Sequence, residues 1–297
     1  MKKLLIIFCA VCCLSSVAFA DEVDEGLSHM ATEQIKVSAR QMIKTGINSD
    51  DVIKMTRSMI RNQFSQQMTL RAHEIIMRAH EEQLPVGPIM NKAYEGIAKG
   101  VKAENTVKAM EAVRSRFAFS YQKARELTQE ESRVRQIGKT MAESLSAGLK
   151  EKDMDTLMDR LRERTRDMKQ DETCELANET FKTAREMARL GVSSEATSGV
   201  IGQALRNRYK VKNMEQMRNM FTARSRYSNV ENLAGSFSAQ IGRGESPGNV
   251  GSQGKGSGSG TGDAGGTGSS GGGSGSGSGG GSGGGSGSGS GGGSGGR

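Results

Sequence analysis

Three histidines, His29, His73 and His80, hold most of the chemistry open to this chain. His73, Met77 and His80 stand at i, i+4 and i+7, so a helix places them on one face. Two imidazoles and a thioether would suit a soft metal such as copper in an oxidising compartment. No third strong ligand type stands near them, and the H-E-x-x-H pattern of zinc hydrolases is absent from the sequence. We therefore expect no metal site and no cofactor, with both histidines at the margin of a core face that contains Met77.

The other reactive residue types are equally plain. Gly138-Lys139-Thr140 has the ending of a phosphate-binding loop, but Arg133 stands where the motif needs its first glycine, and the segment reads as mid-helix. Gly96 and Gly100 form G-x-x-x-G in a polar context, which is not a membrane-dimer motif. The pairs Asp50-Asp51, Glu81-Glu82 and Glu130-Glu131 read as solvated helix ends or faces. No serine, histidine and acid grouping stands out, so no catalytic residue is assigned and an enzyme is not expected. Of the 4 cysteines only Cys174 lies beyond residue 20, which excludes an internal disulfide framework and reads as a small buried side chain.

Charge is more informative. From Asp21 to Leu205 the chain carries 29 basic and 29 acidic residues. Arg206, Arg208, Lys210, Lys212, Arg218, Arg224 and Arg226 then face only Glu215, with Tyr209, Phe221 and Tyr227 interleaved. Such a patch suits an anionic membrane surface, an acidic glycan or nucleic acid. Nucleic acid is not expected, because its recognition brings a larger basic excess or a known motif. Arg160, Arg162, Arg164 and Arg166 are not expected to add a second patch, since Asp159, Glu163 and Asp167 lie among them.

The elements that must position these residues are helical. Phe64, Met68, Ala72, Ile75 and Ala79 step by three or four, as do Val107, Met110, Val113, Phe117, Tyr121 and Ala124. Val134, Ile137, Met141 and Leu145 repeat the pattern, and no period-two run or hairpin turn appears. Beyond residue 20 there are 16 Met against 12 Leu, mostly on these stripes, which reads as adaptable core filler. All-α is the fold class.

Helix ends recur as glycine followed by an aliphatic residue: Gly46-Ile47, Gly100-Val101, Gly148-Leu149, Gly191-Val192 and, altered, Lys210-Val211. Thr128-Gln129-Glu130-Glu131 fits a capping box and divides a long segment. Leu84-Pro85-Val86-Gly87-Pro88 is a turn with Pro88 in the first turn of the next helix. Gly46 matches Gly148, Leu84-Pro85-Val86 matches Leu190-Gly191-Val192, and Val101-Lys102 matches Val211-Lys212. These matches suggest an internal repeat, 46–110 against 148–220, of helical hairpins forming a bundle or short solenoid.

Two flanking segments complete the chain. Lys2-Lys3, an apolar run from Leu4 to Val17 and Ala18-Phe19-Ala20 read as a Sec-type bacterial signal peptide, 1–20, cleaved after Ala20. The apolar run is too short to span a bilayer comfortably, and no run after residue 20 reaches spanning length. Residues 242–297 hold 30 Gly and 14 Ser and are expected to be a disordered tail. As a flexible coil this tail would reach roughly 40 Å root-mean-square from the all-α domain, 21–241.

The expectation is a periplasmic or secreted, non-enzymatic helical binding or scaffold protein of the bacterial cell envelope. Its partner would be another envelope protein or an anionic envelope component. The alternatives are a periplasmic metal-handling protein and an enzyme without a recognisable motif.

Overall fold

The structure, a computed structural model, describes residues 22–246 and Gly248, and over them every regular element is helical. The expected leader and the Gly/Ser tail beyond Gly248 lie outside the described residues. Residues 22–27 form a short helix that runs into a 3₁₀ turn, Ser28–Met30. The longer helices are α1 (Glu33–Lys44), α2 (Ser49–Arg61), α3 (Gln66–Glu81), α4 (Val86–Ala98), α5 (Ala103–Arg125) and α6 (Glu131–Ala147). They continue as α7 (Glu151–Thr165), α8 (Gln170–Arg189), α9 (Ser194–Arg206), α10 (Val211–Ser225) and α11 (Val230–Gly242). The last of these passes the expected boundary at Ile241.

A helix leaves its last carbonyls without partners, and this chain satisfies them in one recurring way. A residue with positive φ donates its N–H three residues back, and the next residue donates five back. Gly46, Gly100, Gly148, Gly191 and Gly244 close α1, α4, α6, α8 and α11 this way. Gln63, Gln83 and Arg208 do the same for α2, α3 and α9 without being glycine. The following side chain turns back onto the core: Ile47, Phe64, Leu84, Leu149, Val192 and Tyr209 are all buried. A polar N-cap then starts the next helix, with Asn48, Ser65, Ser193 and Asn229 accepting from backbone N–H groups of the first turn.

Two sequence expectations shift by this register. The altered turn is Arg208-Tyr209, not Lys210-Val211, because Arg208 takes the left-handed conformation and Tyr209 the buried place. Leu84 corresponds to Val192 rather than to Leu190, for the same reason. The capping box at Thr128 does not form. Thr128 Oγ1 accepts from the Glu130 N–H at 3.2 Å, the helix starts only at Glu131 with Glu130 as its N-cap, and the Glu131 carboxylate lies 4.0 Å from Arg135.

Short turns make consecutive helices run back on one another, and alternate helices then pack side by side. α1, α3, α5, α6, α8 and α10 form one row, each packed on the next. α2 packs on α4, and α7 on α9 and α9 on α11, in a second row that is interrupted where α4 gives way to α5. The stretches 46–110 and 148–220, expected to be a repeat, span α2 to α5 and α7 to α10, and their repetition is not confirmed. They differ in length, since α5 has 23 residues and α10 has 15.

Gly138 shows how tight the packing of α6 on α5 is within the first row. A Cβ there would lie 2.5 Å from Cδ2 of the buried Tyr121 ring on α5. Gly138-Lys139-Thr140 is therefore a packing site, and Thr140 Oγ1 donates to Asn178 Oδ1 of α8 at 3.0 Å. Gly138→Ala should lower stability by roughly 1–3 kcal/mol despite its gain in helix propensity, because the core must shift. Arg208→Gly should raise it by about 1 kcal/mol by relieving the left-handed strain. Urea denaturation followed by circular dichroism reads both; the same sign for the two variants would contradict this account.

Candidate functional site

The basic stretch lies over the end of α9, the turn after it, and α10. Arg206, Arg208, Lys210 and Lys212 are exposed and make no ion pair with any described carboxylate. Tyr209 and Phe221, interleaved in the sequence, leave the surface altogether. Tyr209 is buried and donates its hydroxyl to the Glu245 carbonyl at 2.9 Å, and Phe221 stacks edge-on against Phe237 at 5.2 Å. Of the three aromatics only Tyr227, 88% exposed, stays on the surface.

Arg218 also leaves the patch. Its Nε donates to Glu179 Oε1 at 2.8 Å, and Glu179 is buried on α8. A buried carboxylate needs a partner, so Arg218 is committed to holding α10 on α8. The seven basic residues are thus not one surface. Arg226 lines a groove of about 580 Å³ with Tyr227, Arg218 and Glu186. Arg224 borders a neighbouring groove with Tyr227 and Asn232.

Arg206 and Arg208 face a different set. With Arg160, Glu163, Arg164, Asp167, Met168 and Leu205 they line a cleft of about 430 Å³. α7 and α9 pack side by side, and their C-terminal ends lie together there. The expectation that the arginines of α7 are neutralised by their neighbours holds for two of them. Arg160 pairs with Glu163 at 3.2 Å, and Arg162 pairs with Asp159 at 2.9 Å and with Glu126. It fails for Arg164. Asp167 would be its i+3 neighbour, but α7 ends at Thr165. Arg164 instead donates to the Met168 thioether at 3.1 Å, and its Nε is buried without a partner. A thioether is a weak acceptor, so this guanidinium is under-satisfied.

Compared with known proteins, the chain matches no protein family, no curated sequence and no solved structure.

The three residues weighed for a metal are held in separate places. His73 is fully buried on α3. Thr56 spends its only proton on the Val52 carbonyl at 2.7 Å, so at 2.8 Å it must accept from His73 Nε2. His73 Nδ1 then accepts from Ser38 Oγ at 3.0 Å. Both ring nitrogens are used inside the core, which fixes a neutral tautomer. His80 Nε2 donates to the Thr45 carbonyl at 2.8 Å, and Met77 is a half-buried neighbour of the core. Among the described residues no group of three or more His, Cys, Asp or Glu could hold a metal ion.

The remaining groups have structural partners as well. Cys174 is buried on α8, 3.6 Å from the Gln170 amide. Ser194 links Asp153 to the Lys150 N–H, joining the starts of α7 and α9. Asp50 and Asp51 open α2, where a helix N-terminus favours negative charge, and Glu82 pairs with Arg114 at 2.7 Å.

Burial pushes the His73 pKa down from its ordinary 6.5 to about 4. Between these values the unfolded chain binds a proton that the folded chain refuses. Stability should therefore fall as pH drops from about 6.5 towards 4, by up to about 3 kcal/mol if the shift is fully expressed. Paired carboxylates such as Glu95, lowered to about 2 by Lys92 and Lys99, act below their unfolded value of 4.5 and leave the upper window to histidine. Urea denaturation at pH 7 and pH 5 should show a drop that largely disappears in His73→Gln. An equal drop in both proteins would remove His73 as its source.

Proposed function

We propose that the mature chain is a non-enzymatic binding or scaffold protein of the bacterial cell envelope, exported by the segment 1–20. Its helical rows, read as a duplicated unit, present the exposed turn from Arg206 to Lys212 to an anionic envelope component. The observation that carries this reading is the unpaired charge of Arg206, Arg208, Lys210 and Lys212. Several basic side chains elsewhere are drawn into ion pairs across helices, such as Arg114–Glu82, Arg185–Glu143 and Lys123–Asp155. Four exposed cations left together on one turn create a local positive field that a partner of opposite charge would neutralise. A membrane surface would supply about 1 kcal/mol per cation.

A binding role is favoured over chemistry because the reactive side chains have structural duties. His73 holds α3 to α1 and α2, Ser194 joins two helix starts, and Cys174 is packed away. No helix among the described residues is long and apolar enough to cross a membrane.

The test is association of the mature protein with a native envelope fraction at low and high salt. Replacing Arg206, Arg208, Lys210 and Lys212 by Gln should weaken association at low salt by about tenfold or more, with helicity unchanged. Association that survives the four substitutions, or that ignores salt, would overturn the reading.

A further inference from the structure

We infer that the cleft between the ends of α7 and α9 is a binding site for a phosphomonoester, with Arg164, Arg206 and Arg208 as its anion ligands. The inference deepens the reading of the C-terminal basic surface and rests on it for the role of Arg206 and Arg208. It adds two arginines from α7 that lie some forty residues earlier in the chain.

Arginines at helix C-termini have an ordinary use, which is to complement the partial negative charge there. That accounts for Arg164 and Arg206, each in the last turn of its helix. It does not account for Arg208, which lies beyond α9, or for Arg160, which lies a full turn inside α7. Nor does it explain the state of Arg164. Among the described residues that guanidinium has a buried Nε without a partner and a thioether sulfur as its only hydrogen-bond acceptor. A phosphate oxygen would replace a poor acceptor with a strong one, through the fork geometry that arginine offers to phosphate. Arg208 adds a further sign. It holds a left-handed conformation that glycine takes at most of the matching turns, so the side chain is kept at a conformational cost.

Charge and size name the ligand class. Four arginines against Glu163 and Asp167 leave two positive charges around the cleft, which match the charge of a phosphomonoester near neutral pH. A volume of about 430 Å³ lies in the range of small-molecule sites and exceeds what a bare phosphate fills. Partly buried Met168 supplies apolar surface for the rest of the ligand. The site therefore suits a phosphate carried on a small organic body, either a soluble phosphorylated metabolite or a lipid headgroup with a terminal phosphate.

Titration calorimetry of the full mature protein with glycerol phosphate tests the soluble source. Sedimentation with phosphatidylcholine vesicles containing phosphatidic acid tests the lipid source. One or both should show saturable binding that weakens about tenfold or more in Arg164→Gln and in Arg208→Gly. Arg208→Gly is informative because it removes the guanidinium while relieving strain, so lost binding cannot be lost folding. Lys210→Gln with Lys212→Gln, outside the cleft, should leave glycerol phosphate binding within about twofold. Binding to neither probe, or binding that Arg164→Gln and Arg208→Gly leave unchanged, overturns the site. The two readings fail separately. Salt-sensitive envelope association without phosphomonoester binding sinks the cleft and leaves the basic surface. Arg164-dependent binding of glycerol phosphate, with envelope association indifferent to the four-residue substitution, sinks the surface reading and leaves the cleft.

Discussion

A helix can stop only where something satisfies its final carbonyls, and this molecule depends on how it meets that requirement. One residue turns left-handed, its neighbour folds an apolar side chain back onto the core, and a cap starts the next helix. The device costs few residues, so successive helices reverse and alternate helices come into contact. The two rows follow from it. So does the nearness of helix ends that are far apart in sequence, because alternate helices packed side by side bring like ends to one edge. Where the device is missing, at the ends of α5, α7 and α10, the chain is less regular. The cleft sits at one of those places.

Packing within the rows uses buried polar groups as well as the Met-rich core. α8 is the clearest case, with Thr173, Asn178, Glu179, Thr180 and Thr183 buried alongside Leu176, Phe181 and Met187. It touches α6 on one side and α10 on the other, so most of its circumference is interior. Asn178 meets Thr140, Phe181 offers its carbonyl to Ser144, and Glu179 takes Arg218. Each of these bonds joins two helices and fixes their register, which apolar contact alone would leave looser. His73 does the same in the first half, between Ser38 and Thr56.

Much of this was legible in the sequence, and the limits follow from the physics. The helical period and four of the glycine turns were visible, because glycine announces a positive φ. Gln63, Gln83 and Arg208 gave no such signal, since any residue can be forced left-handed when the turn around it is well enough determined. The core role of most methionines was legible from their stripes. The fate of Arg218 was not, because its partner Glu179 lies on another helix. The apparent balance of the α7 arginines misled for a related reason. Spacing implies pairing only while the helix continues, and α7 stops before Asp167.

The sequence by itself determined the class of the molecule, since a 3.6-residue hydrophobic period has one stable outcome, and it determined where basic charge is in excess. It also determined that few residues were available for chemistry. Only the tertiary structure decided which of those charges remain unpaired and which meet one another. That decision rests on contacts between α7 and α9 and between α8 and α10. Such contacts depend on the packing of the rows, and no local spacing encodes them.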